Sequence, residues 1–453
     1  MSKFALPQDL RGVHIHFVGI KGTGMAALVE IINHRGAVIT GSDVSERFYT
    51  DNILDRLNIK AVPFSKDNIT GDIKYVIYSS AYHTETNPDL AEAVRRNIPM
   101  MLYSEALGSL SDTAYSCAVC GVHGKTTTTG LVGTILEQLP LPSQVLAGSI
   151  ITSFGNTCTM SHPLSKKLPS SEQGYFVAET CEYQYHFMAF SPQKIILTSV
   201  EHDHPDCYPT YNDIRGSFAA FACKLPQNGQ LIYCADDKGA VEVAGIVKGM
   251  RPDISMLPYG EKAEGPYKLA FGKIGGGCRH FSIASLGEFK LYVPGDHFVR
   301  NACAAAALCS ELLKTAGIAI TPQIISLIEK GVAQFKGGKR RSEIVGQVTN
   351  KSGAPVIFID DYGHHPTAIK TSLAGYRDFY KGHKIIVDFM SHTYSRTQAL
   401  LDEFASSFDS ADEVILHKIY ASARENITDF TVTGKILYNK VKELYKNVYY
   451  LKN

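Results

Sequence analysis

The chain lacks the features that would mark a membrane-bound, exported or nucleic-acid-binding protein. No stretch approaches the about 18 consecutive apolar residues that suggest a transmembrane helix. Pro, Asp, Arg and His interrupt residues 1–20, which also lack the cleavage site of a signal peptide. Lys and Arg number 45 and Asp and Glu 44, so the net charge of +1 gives no bulk attraction for nucleic acid. These absences predict a cytoplasmic protein with neither a membrane nor a nucleic acid as its partner.

The ten cysteines lack any spacing typical of a disulfide framework or a zinc site. Cys117 and Cys120 form a Cys-x-x-Cys pair, but the sequence near them offers no second pair of ligands. Reduced thiols are expected in a chain of this size without an export signal. We therefore predict that both residues are buried in a strand.

The residues that are present have the composition of a globular enzyme, 45% hydrophobic and 20% charged. A length of 453 residues predicts two to four domains. Short β-rich runs alternate with helical patterns in three successive stretches, which is typical of α/β folds with parallel sheets. A Ser- and Pro-rich surface loop is predicted at 163–171. The clearest predicted strands are 13–18, 37–40, 75–78, 114–119, 175–178, 194–200, 230–234, 356–359, 384–387 and 413–416, and the clearest helices are 25–34 and 301–315.

The strongest motif is a glycine-rich loop between an apolar strand and a helix, Gly121-Val122-His123-Gly124-Lys125-Thr126-Thr127. Backbone N–H groups at such a turn, together with the helix N-terminus, bind anions. Lys125 would contact the β- and γ-phosphates of a nucleotide, and Thr126 would offer a hydroxyl to Mg²⁺. Val119 stands where the usual phosphate loop has its first Gly, so this loop is a shorter variant.

Acidic residues follow two further predicted strands. Glu179 ends one of them, and Glu201, Asp203 and His204 come directly after another. Ligands of parallel α/β sheets bind at the carboxyl ends of the strands, and Mg²⁺ prefers hard oxygen ligands. Together with the phosphate loop, these residues predict a magnesium–nucleotide site.

A second glycine turn, Gly22-Thr23-Gly24-Met25, follows the first predicted strand, and Asp43 lies about 20 residues further on. The spacing fits a dinucleotide or another nucleotide diphosphate, with Asp43 near a ribose hydroxyl. A redox cofactor, a non-redox pyrophosphate ligand and a tight turn without a ligand all remain open at this point.

Two polar clusters follow strands in the last third of the chain. One contains Asp360, Asp361 and Tyr362, and the other runs from His392 to Arg396. Either could be an ordinary loop, but their placement favours a rim that faces the substrate. If a helix begins at His392, this residue and Arg396 share one helical face.

Taken in order, these motifs resemble the Mur ligases of peptidoglycan precursor synthesis. The resemblance covers nearly the whole chain and includes Ser79-Ser80, Gly295-Asp296-His297 and Arg340-Arg341. It is most similar to members that use ATP to phosphorylate the lactyl carboxylate of UDP-N-acetylmuramate and then attach L-alanine to it. The implied fold has an N-terminal Rossmann-like domain, a central ATPase-type domain with a phosphate loop and a C-terminal Rossmann-like domain, at 1–111, 112–320 and 321–453.

The resemblance also implies a role for individual residues. ATP would bind Gly121, Val122, His123, Gly124, Lys125, Thr126, Thr127, Asn301 at the adenine, Arg341, Asp361 at the ribose and Tyr362. The UDP-sugar would bind Gly22, Thr23, Gly24, Met25, Asp43, Ser79 and Ser80. Mg²⁺ would bind Thr126, Glu179 and His204. The implied catalytic residues are Lys125, Glu179, His204, His392 and Arg396.

Several departures and alternatives accompany this interpretation. The family's usual residues are replaced at Val122, at Phe298 and at Met390-Ser391, which affects adenine recognition and the loop beside the amino acid. One alternative is a ligase that attaches a tripeptide to the same UDP-sugar. An NAD-dependent oxidoreductase and a regulatory nucleotide-binding module are others, but neither explains all of the motifs. A monomer or a weak homodimer is expected.

Overall fold

The computed structural model describes residues 5–162, 174–421, 425 and 427–452. The loop predicted at 163–171 lies outside these ranges. Among the described residues, no helix is both long enough and apolar enough to cross a membrane.

The N-terminal part of the chain forms a sheet of five parallel strands covered by helices. Its strands are β1 His14–Val18, β2 Val38–Ser42, β3 Ala61–Val62, β4 Tyr75–Tyr78 and β5 Met100–Leu102. Its helices are α1 Thr23–His34, α2 Asp51–Arg56, α3 Pro88–Arg95 and α4 Tyr103–Ser111. The spatial order is β3-β2-β1-β4-β5, so the strand that precedes the second glycine turn lies at the centre.

Both faces of β1 are buried, although its sequence alternates polar and apolar residues. The two faces of a parallel sheet are usually covered, so its polar side chains need partners. His16 has them, because one ring nitrogen lies 2.9 Å from the Thr40 hydroxyl and the other 3.2 Å from the buried Asp89 carboxylate. Polar partners therefore replace solvent on this face.

The central part contains a seven-stranded sheet and a small antiparallel sheet. The strands of the large sheet are β6 Tyr115–Cys120, β7 Ser143–Ile151, β8 Thr157–His162, β9 Tyr175–Glu179, β10 Lys194–Leu197, β11 Gln230–Cys234 and β12 Ser255–Tyr259. The small sheet consists of β13 Leu269–Gly275, β14 Cys278–Ile283 and β15 Gly287–Leu291. The helices are α5 Lys125–Leu136, α6 Tyr211–Ala222, α7 Lys238–Met250, α8 Asp296–Thr315 and α9 Pro322–Gln334.

The large sheet has the order β12-β11-β10-β6-β9-β7-β8 and is parallel except for β8. The phosphate loop follows β6, which pairs with β10 on one side and β9 on the other. Cys117 and Cys120 are buried free thiols on β6, as predicted.

The C-terminal part is built from two separate strand groups. Its strands are β16 Glu343–Thr349, β17 Pro355–Asp360, β18 Ile386–Phe389, β19 Glu413–Leu416 and β20 Val448–Tyr450. Its helices are α10 Pro366–Phe379, α11 Tyr394–Ala399, α12 Leu401–Ala405 and α13 Gly434–Leu444. Strands β18 to β20 are parallel, whereas β17 pairs antiparallel with β16.

The N-terminal and central parts are joined by a common hydrophobic core, and the C-terminal part is not. One continuous core runs through the N-terminal and central parts, and the C-terminal part has a core of its own. The division predicted at residues 320 and 321 stays a prediction. The helix that follows it, α9, packs against α5 of the central part, because Gly331 allows a close approach to Ile135.

We expect Gly331→Ala to destabilise this helix contact. An added Cβ would lie 2.5 Å from Ile135 Cα and 2.8 Å from the Thr134 carbonyl oxygen, so a backbone would have to shift. Overpacking of this kind lowers the free energy of unfolding by about 1–3 kcal/mol. In the matched control Gly216→Ala, at an exposed position of α6, the Cβ meets nothing within 4 Å. Helix propensity should make the control equal to or more stable than the wild type. Urea unfolding checks the pair, and equal stabilities would contradict the close contact.

Candidate active site

The phosphate loop is held open by two glycines with positive φ angles, Gly121 at 134° and Gly124 at 81°. A Cβ on Gly121 would lie 2.1 Å from the Thr198 hydroxyl, and one on Gly124 would lie 2.7 Å from the Asn301 side chain. Side chains are therefore excluded from both positions. The loop leads into the N-terminus of α5, whose first N–H groups are available to an anion.

Lys125 lies at the start of α5 in a negatively charged setting. Its ammonium group donates to the Gly121 carbonyl and lies 2.9 Å from the Glu182 carboxylate. Burial by itself would lower the pKa of Lys125, but Glu182 and neighbouring groups raise it above its ordinary value. Lys125 is therefore a charged lysine placed at the loop, and Glu182 is a partner that sequence reasoning left without a role.

Two oxygen donors meet beside this lysine. The Thr126 hydroxyl donates to Glu179 at 3.0 Å, and the other Glu179 oxygen accepts the Gly148 N–H at 2.6 Å. Gly148 has room for this carboxylate only because it lacks a Cβ, which would lie 2.6 Å from the carboxyl carbon. Arg341 donates to Thr126 at 3.0 Å. The hydroxyl and the carboxylate are the hard oxygen ligands that Mg²⁺ prefers, so the residues fit that ion.

His204 was predicted to share this magnesium site. The structure places Nε2 of His204 3.9 Å from the Glu182 carboxylate and 3.8 Å from the Asp203 carboxylate. His204 has a φ of 54°, which turns the chain sharply after β10. Its role as a metal ligand stays a prediction.

Arg396 reaches the central part from α11 and is buried there. Its Nε and Nη2 lie 3.0 and 2.9 Å from the Asp203 carboxylate, and both side chains are less than 10% exposed. Burial would raise the pKa of Asp203, but the charge of Arg396 outweighs it and holds this pKa well below its ordinary value. Arg396 is therefore a buried, paired cation and not an exposed surface charge.

His392 does not share a helical face with Arg396. Thr393 caps α11 by accepting the Arg396 N–H, so the helix begins at Tyr394. His392 instead offers its carbonyl oxygen to Arg396 at 3.0 Å, and its ring lies beside Tyr420. The contact between these residues is therefore made by the His392 backbone carbonyl and the Arg396 side chain.

The Asp361 carboxylate accepts hydrogen bonds from three different segments of the C-terminal part. It accepts the backbone N–H groups of Ser342 at 3.0 Å and Gly363 at 2.8 Å, and the Tyr376 hydroxyl at 2.9 Å. Its neighbour Tyr362 is exposed, and its ring lies 5.6 Å from the Arg341 guanidinium. These bonds occupy much of the carboxylate. The contact of Asp361 with a ribose stays a prediction.

Asn301, the predicted adenine contact, lies on the second turn of α8, and that contact stays a prediction. The side chain of Asn301 lies against Gly124 of the phosphate loop. Phe298 is buried, and Arg300 pairs with Asp236 at 2.9 Å and lies over the Phe271 ring. Sequence reasoning missed Asp236 and Arg300, because the Asp236-Asp237 pair after β11 matches no motif that marks a site.

The N-terminal turn is held together mainly from within. Asp43 is buried and accepts the N–H groups of Lys21 and Val44 at 2.7 Å, so it fixes the turn. Met25 is buried in the core, whereas Thr23 lies 2.5 Å from the Tyr49 hydroxyl. Ser79 and Ser80 follow β4 at the same edge of the sheet, because β4 lies next to β1.

The two glycines of this turn have different surroundings. A Cβ on Gly24 would lie 2.9 Å from the Tyr103 ring, so this glycine is needed for packing within the protein. A Cβ on Gly22 would meet nothing closer than 3.4 Å. Only Gly22 therefore reports on a ligand without also disturbing the fold.

A cavity of about 980 Å³ joins the central and C-terminal residues. All of its described lining comes from residue 122 onward, so the N-terminal turn lies outside it. The predicted residues that line it are Val122, His123, Gly124, Lys125, Thr126, Thr127, Glu179, His204, Asn301, Arg341, Asp361, Tyr362, His392 and Arg396. A nucleotide and a small second substrate would both fit such a space.

Three family models match the chain in succession. They are described as the Mur ligase family catalytic domain over 14–115, the Mur ligase middle domain over 119–309, and the Mur ligase glutamate ligase domain over 340–452. Together they span most of the chain in the same order as the three parts of the structure.

Similar proteins carry consistent names. The UDP-N-acetylmuramate–L-alanine ligase of Treponema pallidum strain Nichols is 46% identical over 452 residues, 99% of this chain and 91% of the relative. The ligase of the same name from Desulfitobacterium hafniense strain Y51 is 35% identical over 97% of this chain and 91% of its own length.

Solved structures show the same architecture. The UDP-N-acetylmuramate-alanine ligase of Thermotoga maritima has a TM-score of 0.72 at 25% identity and covers 97% of this chain and 90% of its own. A murein peptide ligase from Psychrobacter arcticus has a TM-score of 0.65 at 20% identity and covers 98% and 91%. The second likeness concerns the fold alone.

We expect Arg396→Met to lower the melting temperature, because it leaves the Asp203 carboxylate buried without its partner. Breaking a buried pair typically costs about 3–5 kcal/mol. The double variant with Asp203→Asn should lose less than the sum of the two single variants. A matched control is Arg95→Met, since the Arg95 side chain is 69% exposed in its pair with Glu92 and should contribute less than about 1 kcal/mol. Calorimetry checks the series, and a loss equal to that of the control would refute the buried pair.

Proposed function

Because this chain belongs to the Mur ligase family, we propose that it joins L-alanine to the lactyl carboxylate of UDP-N-acetylmuramate at the expense of ATP. The observation that carries the proposal is the single cavity at which the phosphate loop, the acidic strand ends and Arg396 converge. The relatives named as L-alanine ligases, at 46 and 35% identity, support the choice of amino acid. The protein would act in the cytoplasm as a monomer or a weak homodimer.

In the first step, a lactyl carboxylate oxygen attacks the γ-phosphorus of ATP. The bond from that phosphorus to the β–γ bridging oxygen breaks, ADP leaves and an acyl phosphate forms. Such a transfer depends on positioning and charge neutralisation. Lys125 supplies a positive charge at the loop, and the α5 N-terminus supplies N–H donors. Binding of ATP would draw the lysine from the Gly121 carbonyl and Glu182 toward the phosphates.

Mg²⁺ would be held by Thr126 and Glu179, with His204 proposed as a further ligand, and would neutralise phosphate charge when bound. The chain's own residues prepare that place. Arg341 fixes the Thr126 hydroxyl, and the Gly148 N–H fixes the Glu179 carboxylate. Both donors are therefore positioned before any ligand arrives.

In the second step, the amine of L-alanine attacks the acyl carbon of the acyl phosphate. The tetrahedral intermediate expels inorganic phosphate and leaves an amide, and the amine loses a proton to the surroundings. Arg396 and His392 lie on the C-terminal side of the cavity, where they would face the amino acid and the departing phosphate. Asp203 orients the Arg396 fork for this purpose.

The substrate assignment predicts that ADP formation requires both UDP-N-acetylmuramate and L-alanine. Replacing L-alanine with the L-alanyl-γ-D-glutamyl-meso-diaminopimelate tripeptide should abolish most of the turnover. Glycine and L-serine should give intermediate rates, because a methyl difference is worth only about 1–3 kcal/mol. Faster turnover with the tripeptide would favour the alternative ligase. Nicotinamide absorbance change without ADP formation would favour the oxidoreductase.

We expect Lys125→Ala to remove turnover while the protein stays folded, although it also lowers stability because the buried Glu182 carboxylate loses this partner. Loss of a charge contact in the transition state typically lowers the rate on the order of 10²–10³-fold. Phosphate release in a coupled assay gives the rate, and circular dichroism gives the fold. Turnover near that of the wild type would sink the assignment of the phosphate loop.

Gly22→Ala should weaken binding of UDP-N-acetylmuramate and leave binding of ATP unchanged. The added methyl group fits the protein, because its nearest neighbour is at 3.4 Å, but it would intrude where a pyrophosphate approaches the backbone. A loss of about tenfold in affinity corresponds to 1.4 kcal/mol. Titration calorimetry with each ligand separates the two effects, and Gly216→Ala is the matched control. An unchanged affinity for the UDP-sugar would place that ligand elsewhere.

A further inference from the structure

Three potential metal ligands meet where the phosphate loop touches the C-terminal part. His123 comes from the loop, Glu201 follows β10, and His365 precedes α10. One ligand atom of each lies within 4.8 Å of the other two. The Glu201 carboxylate lies 3.4 Å from Nε2 of His123 and 3.6 Å from Nδ1 of His365. The proposed magnesium ligands Thr126, Glu179 and His204 are a different set.

The imidazoles in this cluster have unmet bonding capacity. Nε2 of His123 faces the Glu201 carboxylate at 3.4 Å without a well-directed hydrogen bond, and the buried Nε2 of His365 has no hydrogen-bond partner among the described residues. A buried polar atom left unpaired typically costs about 1–3 kcal/mol, so such atoms usually have a ligand. His365 is only 5% exposed, and its ring centroid lies 4.8 Å from that of His123.

The cluster is also held in place before any ion binds. The Thr367 hydroxyl donates to Glu201 at 2.8 Å and fixes the carboxylate. Nδ1 of His365, which lies 3.6 Å from Glu201, accepts the Thr367 N–H at 3.3 Å, so an ion bound at this nitrogen would replace that long hydrogen bond. His123 and Glu201 line the cavity, which gives an ion a path of entry. A fixed carboxylate and a path of entry, both of which a metal site needs, are therefore present.

We propose that His123, Glu201 and His365 form a binding site for a divalent transition-metal ion of the zinc class. Two imidazoles and one carboxylate are a donor set that Zn²⁺ takes with a fourth position open to solvent or substrate. Imidazole suits Zn²⁺, whereas Mg²⁺ prefers oxygen ligands, so the two sites differ in selectivity. Because His123 belongs to the phosphate loop and His365 to the C-terminal part, a bound ion would tie these parts together. Micromolar Zn²⁺ should therefore slow any turnover that needs the cavity to open.

Cobalt(II) is the probe, since its visible absorption reports its ligands. The full-length protein is titrated with Co²⁺ in millimolar Mg²⁺, which keeps the oxygen site occupied, and without nucleotide. The wild type should bind one equivalent with a nitrogen and oxygen spectrum and no thiolate charge-transfer band, and Zn²⁺ should displace it. His365→Asn and Glu201→Gln should each weaken this binding at least about tenfold.

The variants are chosen to preserve the fold. Asn is a good helix cap and can accept the Thr367 N–H that His365 now accepts. Gln keeps the size of Glu201 and its contact with Thr367. His34→Asn, an exposed histidine at the end of α1, controls for adventitious binding to imidazole and should bind Co²⁺ as the wild type does. Equal Co²⁺ affinity in wild type and both site variants, or no saturable band in the wild type, would overturn the proposal. Neither outcome depends on the ligase activity.

Discussion

The site depends on one constraint, the convergence of parallel strand ends at a single edge of the central sheet. Strands β9, β6 and β10 are neighbours in space, although their segments are up to about 80 residues apart along the chain. The polar loop that follows each of these strands lies at the same edge of the sheet. The phosphate loop, Glu179 and the Glu201–His204 segment therefore arrive side by side. No local feature of any one segment would assemble these charges.

The same edge must balance its own charges before a nucleotide binds. Lys125 is neutralised by Glu182, and Asp203 is neutralised by Arg396. Buried charges need such partners because desolvation is expensive. Anionic phosphates would compete with Glu182 for the lysine, whereas Arg396 already contacts the central part. The C-terminal part is thus connected to the site by a buried ion pair as well as by its loops.

Much of this arrangement could be predicted from local sequence, and the rest could not. The strand-and-loop pattern predicted that the phosphate loop and the acidic end of β9 lie at one edge of a sheet. In the structure β6 pairs with β9 and Thr126 donates to Glu179, while the roles of these residues at a nucleotide stay predictions. Asp43 accepts the N–H groups of Lys21 and Val44 and so fixes the turn, while its predicted contact with a ribose stays a prediction.

Two features around Arg396 were not predicted correctly from the sequence. His392 and Arg396 were expected on one helical face, but Thr393 caps the helix later. The pairing of Arg396 with Asp203 joins residues 193 positions apart and leaves no trace in either motif. The antiparallel pairing of β17 with β16, by contrast, is a local hairpin closed by residues 350–354, which the pattern at 356–359 did not indicate. The family resemblance predicted the order of the three domains. The partners of individual carboxylates, such as Asp203 and Glu182, could be identified only from the structure.

The central claim is that the cavity activates a carboxylate by phosphorylation before an amine attacks it. Isotope transfer tests this most directly. UDP-N-acetylmuramate carrying ¹⁸O in both lactyl carboxylate oxygens is turned over with ATP and L-alanine, and the released phosphate is analysed by mass spectrometry. The account predicts one ¹⁸O atom in each phosphate released, because the oxygen that attacks phosphorus leaves with it. Unlabelled phosphate accompanied by full amide formation would contradict it.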